Sequence, residues 1–266
     1  MVTSRIVRSS ALTVAVALAM ASASSASHSW GNYHWARTSN PFTLMVGDNV
    51  SSGWDVRLDE AILDWNLSSV LDLSKQPGRT RPKNCRPTSG RIEVCAERYG
   101  NTGWLGIAQI WASGNHITQG VAKMNDTYFN TPTYNTYSWK QLVMCQEIAH
   151  AFGLDHQDED FGNGNLGSCM DYTSRPVGNE HPNAHDFEQL ETIYAHLDGT
   201  TTIGAAQPSS APPAMGQIEF DNPGQWGRLI RSSADGRVQI FELDFGSDNR
   251  VITHVFWADP DRDRGR

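Results

Sequence analysis

Apolar and polar positions along the chain follow two different periods. In SSGWDVRLDEAILDWNL, Trp54, Leu58, Ile62 and Trp65 fall three or four residues apart with charges between them, the spacing of one face of an α-helix. Ser51 or Ser52 offers a hydroxyl to cap its first turn. Residues 103–126, GWLGIAQIWASGNHITQGVAKMND, are rich in β-branched and aromatic side chains and are broken by SGN, which predicts two adjacent strands. SWKQLVMCQEIAHAF opens with the capping-box spacing Ser138-x-x-Gln141 and runs without Gly or Pro to Gly153, so it predicts a helix. In HPNAHDFEQLETIYAHLD, Phe187, Leu190, Ile193 and Leu197 recur behind an Asn183 cap and predict a second long helix. The period then changes to two: GRLIRSSADGRVQIFELDFGSDNRVITHVFWADP alternates between the turns SADG and GSDN, the pattern of a small antiparallel β module.

Residues 1–26 combine Arg5 and Arg8, the apolar run ALTVAVALAMA and small residues suited to cleavage near Ala23 or Ala26, as in a signal peptide. The run is too short to span a bilayer. The expected organisation is a signal peptide at 1–26, an α+β domain at 27–200, a Pro/Ser-rich linker at 201–217 and the β module at 218–266. Export makes the protein secreted and extracellular, with no membrane anchor, and a monomer is expected. Trp226 and Trp257 in the module are expected to pack as core.

Removing residues 1–26 takes the formal charge from -8 to -10, which argues against nucleic acid as a partner. The chain has 4 cysteines, and an even number in an exported chain predicts disulfides. Cys85 and Cys95 flank a short turn-rich stretch and look local to each other, which leaves Cys145 for Cys169.

The chemistry concentrates in QEIAHAFGLDH, residues 146–156. Gln146 and His150 are four apart on one helix face, and Glu147 is one step round. His156 can face the same point only if the chain turns, and Gly153 is suited to supply that turn with a positive φ. A downstream GSCMDYT follows. These two strings resemble the metzincin-type zinc metallopeptidases, specifically over residues 139–173 and by element order over about 40–198.

The resemblance implies an α+β catalytic domain with a twisted sheet, an active-site helix, a Met-turn and a C-terminal helix. It implies zinc as cofactor, bound by His150 and His156, with Gln146 standing where the family has its first histidine. Glu147 would be the general base, Met170 the floor of the site, and Tyr172 either an oxyanion donor or a packing residue. Cys145 and Cys169 would meet beneath the metal. A protein or peptide substrate would pair along an edge strand near residues 116–125.

Gln146 departs from the family pattern. Its amide oxygen is neutral and weakly basic, so it costs at most about 3–5 kcal/mol of the roughly 10–16 kcal/mol of a structural zinc site. The remaining 7–11 corresponds to a dissociation constant of roughly micromolar to ten nanomolar. His116, His181, His185, Asp155 and Asp158 are further candidate donors. The acidic stretch DHQDEDFGNGN lacks EF-hand spacing and is expected to be a solvated loop. Two functions follow: a secreted zinc endopeptidase, or an inactive scaffold that binds peptides or protein partners.

Overall fold

The computed structural model describes residues 28–206, 211–218 and 221–259; the expected signal peptide lies outside them. The architecture is mixed α+β. In chain order the described elements are β1 (His34–Trp35), β2 (Phe42–Asn49), α1 (Asp55–Trp65), β3 (Leu71–Pro77), β4 (Ile92–Glu97), β5 (Trp104–Ser113), β6 (His116–Asn125), α2 (Asp126–Phe129), α3 (Tyr137–His150), α4 (Ala184–Ile193), β7 (Arg228–Ser232), β8 (Val238–Gly246) and β9 (Asn249–Trp257). The strands form one mixed sheet in the order β3-β2-β4-β6-β5-β9-β8-β7, with β1 paired to the start of β6. Pairings among β2, β3, β4 and β6 are parallel, and those from β6 through β5, β9, β8 and β7 are antiparallel.

Strands β5 and β6 are buried almost end to end, which requires cover on both faces. Helices α1 and α3 cover one face, where Leu58, Ile62, Trp65, Leu142 and Ile148 join Ile110, Ile117 and Ala122 in the main core. On the other face Met215 and Ile218 pack with Trp111, Val121, Val251 and the Cys85–Cys95 pair. Residues 211–218, the described end of the Pro-rich stretch, therefore pack on the sheet, and Trp111 Nε1 donates to the Met215 carbonyl at 2.9 Å. Trp226 packs with Tyr99, Trp104, Ile107 and Val255, and its ring lies 6.2 Å from that of Trp257. Disulfides join Cys85 to Cys95 and Cys145 to Cys169. Among the described residues no helix is long and apolar enough to cross a membrane.

Several local expectations are corrected. Helix α1 is preceded by Trp54 with no side-chain cap; Ser51 contributes only its carbonyl, which accepts the Trp54 N–H at 2.8 Å. Helix α3 is capped by Thr136, whose hydroxyl accepts the Trp139 N–H at 3.2 Å, rather than by Ser138. Helix α4 starts at the Asn183 capping box but stops at Ile193. The buried Arg37 guanidinium donates to the carbonyls of Tyr194 and His196, drawing the chain out of the helix.

The larger correction concerns the C-terminal strands. The hairpin and third strand form where the pattern places them, but β9 pairs antiparallel with β5, with His254 opposite Ala108. Residues Val251–Phe256 are buried in succession, so both faces of this strand need cover and only an interior place in a sheet supplies it. Strand β6, expected as a substrate-binding edge, is flanked by β4 and β5. Truncating the chain after Gln217 should therefore bare the β5 edge and abolish the single cooperative unfolding transition of the full chain. A truncated protein that melts like its parent would show that β7–β9 are dispensable to the fold.

Candidate metal centre

Helix α3 ends at His150, and the chain reverses at Gly153, whose φ is +101°. A Cβ there would lie 2.4 Å from the Tyr33 carbonyl oxygen, so position and conformation both demand glycine. The reversal returns His156 to within 4.6 Å of the His150 ring, centroid to centroid. A third imidazole arrives from β9: the His254 ring lies 3.8 Å from His150 and 4.6 Å from His156. One ring nitrogen from each of the three lies within 4.8 Å of the others.

Each ring presents a free nitrogen to this point. His150 Nδ1–H donates to the Leu154 carbonyl at 2.8 Å, which leaves the Nε2 lone pair free and orients the ring. His156 Nδ1 faces Asp155 Oδ1 at 3.5 Å, and the other Asp155 oxygen is ion-paired with Arg231 of β7. Burial raises the Asp155 pKa, but hydrogen bonds from His156 and Arg231 outweigh it and hold the carboxyl below its usual range. Burial pushes His156 down to about 4 and holds His150 and His254 well below the ordinary histidine value, so all three rings are neutral near pH 7. The Nε2 atoms of His150, His156 and His254 are buried with no hydrogen-bond partner among the described residues. Each such atom costs about 1–3 kcal/mol in desolvation, and a cation shared by the three removes that cost. The donor set, three neutral imidazoles, suits zinc.

Glu147 is buried beside the histidines, with Oε2 3.7 Å from His254 Nδ1 and neither oxygen hydrogen-bonded. Burial raises its pKa well above the usual carboxylate value. The carboxylate fits because β5 carries Gly106 opposite it: a Cβ there would lie 2.5 Å from Glu147 Oε1 and 2.7 Å from Val143 Cγ1. Gln146, one turn before His150, is buried and its Nε2 is unpaired. The Tyr172 ring lies 4.0 Å from His156, and burial raises its phenol pKa. Met170 is buried in a turn where Gln157 N–H donates to the Met170 carbonyl at 2.6 Å and Ser168 Oγ accepts the Met170 N–H at 2.9 Å. Trp30 stacks on His150 at 5.1 Å and reaches His254 at 5.7 Å. Beside it runs a cleft of about 320 Å³ lined by Trp30, Tyr33, Asp155, Arg231, Glu242 and Ile252.

The other candidate donors are engaged elsewhere. His181 Nδ1 lies 2.8 Å from Asp64. The ring of His185 packs against His28, and its Nδ1 lies 3.8 Å from Glu188. Asp158 accepts the Asp160 N–H at 2.7 Å, and His116 faces Asp198. Asp155 alone among them touches the histidine group, as a partner to His156. His254 was not anticipated from sequence. Its only local signal is a polar ring inside the apolar run VITHVFW, the ordinary setting of a core histidine, and nothing in the pattern announces the β5–β9 pairing.

No protein-family model matches the chain. No curated protein matches it in sequence. Among solved structures, it is similar to high choriolytic enzyme 1, a hatching enzyme zinc-protease from Oryzias latipes (medaka fish). The identity is 13%, the superposition covers 61% of this chain and 94% of that chain, and the TM-score is 0.35; an overlap this slight does not fix a family.

Proposed function

We propose that the chain is a secreted zinc-dependent endopeptidase, with zinc held by His150, His156 and His254. The observation that carries this reading is the convergence of three buried imidazoles, each with an unpartnered ring nitrogen and each offering one ring nitrogen within 4.8 Å of the others, beside a buried carboxylate. Three protein ligands are the number a catalytic zinc uses, with one position kept for water or substrate. The choice of a peptide bond rests on the resemblance of QEIAHAFGLDH and GSCMDYT to metzincins.

When bound, zinc supplies a Lewis acid that polarises a carbonyl and lowers the pKa of water toward ~7. With the ion's positive charge offsetting the burial that raises its pKa, Glu147, whose oxygens have no other partner, would accept the proton of the attacking water and return it to the leaving amine. Tyr172, kept protonated by burial, donates a hydrogen bond to the developing oxyanion. Gln146 becomes a neighbour of the site rather than its third ligand, because His254 fills that role. His150 and Glu147 are fully buried and Trp30 stacks on His150, so in this arrangement the centre is closed to a substrate in the adjoining cleft.

That closure favours a second reading, in which the centre is an inert staple between α3 and β9 in a scaffold that binds peptides or protein partners. Glu147→Ala separates the two: it should retain zinc while peptide hydrolysis falls by about 10²–10⁴-fold. A parent protein with zinc but no activity on any peptide would leave the scaffold.

The ligand assignment has its own test. His254→Ala should weaken zinc by about 3–5 kcal/mol, a full ligand's share, whereas Gln146→Ala should leave affinity within about tenfold; the reverse ranking in a chelator competition would restore Gln146 as ligand. Gly106→Ala should lower stability by about 1–3 kcal/mol through overpacking and depress activity with zinc retained, as Glu147 is displaced. Unchanged denaturant midpoint and rate in that variant would contradict the packing described.

A further inference from the structure

A second group of histidines lies outside this centre and shares no ligand with it. Parallel pairing of β1 with β6 sets His34 opposite His116. The chain leaving α4 brings His196 and Asp198 to the same place, anchored where Asp198 N–H donates to the Arg37 carbonyl at 2.9 Å. Asp198 Oδ2 is fully used by Arg37, accepting from its backbone N–H at 3.1 Å and from Nη1 at 3.0 Å. Asp198 Oδ1 is left facing three imidazole Nε2 atoms: His116 at 3.3 Å, His34 at 3.4 Å and His196 at 3.7 Å. The Nε2 atoms of His34 and His196 are themselves 3.2 Å apart.

We propose that His34, His116 and Asp198, whose ligand atoms all lie within 4.8 Å of one another, bind a second zinc ion that fastens β1 to β6 and to the segment following α4, with the fourth position left to water. The spacing carries the proposal. Zinc–nitrogen and zinc–oxygen distances of about 2.0–2.2 Å in a tetrahedron place neighbouring ligand atoms about 3.3–3.6 Å apart, and Asp198 Oδ1 stands 3.4 Å from His34 Nε2 and 3.3 Å from His116 Nε2. Supporting hydrogen bonds are in place as well. His34 Nδ1–H donates to the Asn32 carbonyl at 2.6 Å, which turns the Nε2 lone pair inward, and Arg37 orients the carboxylate. His196 Nε2 lies 3.2 Å from His34 Nε2, the distance of an N–H···N hydrogen bond that a metal on His34 would replace. One oxygen and two nitrogen donors are of the type zinc favours. The site is reached from solvent: His116 and His196 side chains are 39% and 54% exposed, and a cavity of about 390 Å³ lined by His34, Asn115 and His196 opens beside them.

An ion here would act on the first centre through the chain. Residues 30–34 join Trp30, stacked on His150, to His34, so occupancy would hold the segment that covers the buried histidines. The competing explanation is a proton on one or more of the exposed rings, which predicts no bound metal.

Metal analysis of the full mature protein after zinc loading and gel filtration provides the test, with His116→Ala/His196→Ala and His150→Ala/His254→Ala compared to the parent. The first pair removes two exposed side chains and leaves the core intact. The expected result is two zinc ions in the parent and one in each double variant. One zinc in the parent, kept by His116→Ala/His196→Ala and lost with His150→Ala/His254→Ala, would overturn the second site alone. One zinc lost with His116→Ala/His196→Ala and kept by the other variant would support the second site and overturn the proposed catalytic centre. No zinc in any protein would overturn both.

Discussion

The pairing of β9 with β5 is the constraint on which the candidate centre depends. It places His254 over the end of α3, where His150 and the returning His156 already point. The same hairpin layer carries Arg231 to Asp155 and so steadies His156 from behind. Removing β9 would leave two imidazoles and an unpaired strand edge. With β9 present, the three rings sit in a dry environment that keeps them neutral and leaves each with an unpartnered nitrogen. A buried array of this kind is costly unless a cation occupies it.

The rest of the fold fixes the other side of that centre. The Cys145–Cys169 disulfide ties the middle of α3 to the turn that holds Met170, and Gly153 lets the chain double back without a side chain striking Tyr33. Gly106 opens the slot for Glu147. From the N-terminal side, Trp30 N–H donates to the Gly153 carbonyl at 3.0 Å, which locks the stacked indole to the same turn. Helix, turn, strand and N-terminal segment therefore meet at one buried point, and movement of any of them alters access to it.

Much of this arrangement was legible in the residues. The β5–β6 hairpin follows from SGN between two apolar runs, α4 from its Asn183 cap, and the turn after α3 from Gly153. The strands β7–β9 were legible as strands but not as members of the larger sheet, because period-two alternation states which face is apolar and not which strand lies alongside. That gap explains why His254 was missed: strand partners about 145 residues apart leave no local trace. Gln146 drew attention for the opposite reason, since helix spacing is local and makes residues four apart look like joint ligands. The cap assigned to Ser138 failed because the helix already includes it, Thr136 taking the Trp139 N–H instead, and at α1 no side chain caps the first turn.

The most direct measurement is anomalous diffraction at the zinc absorption edge from a crystal of the mature protein. The account predicts a peak about 2.0–2.1 Å from the Nε2 atoms of His150, His156 and His254. A peak bound by Gln146 with His254 turned away, or no peak at this point in a zinc-loaded crystal, would contradict it.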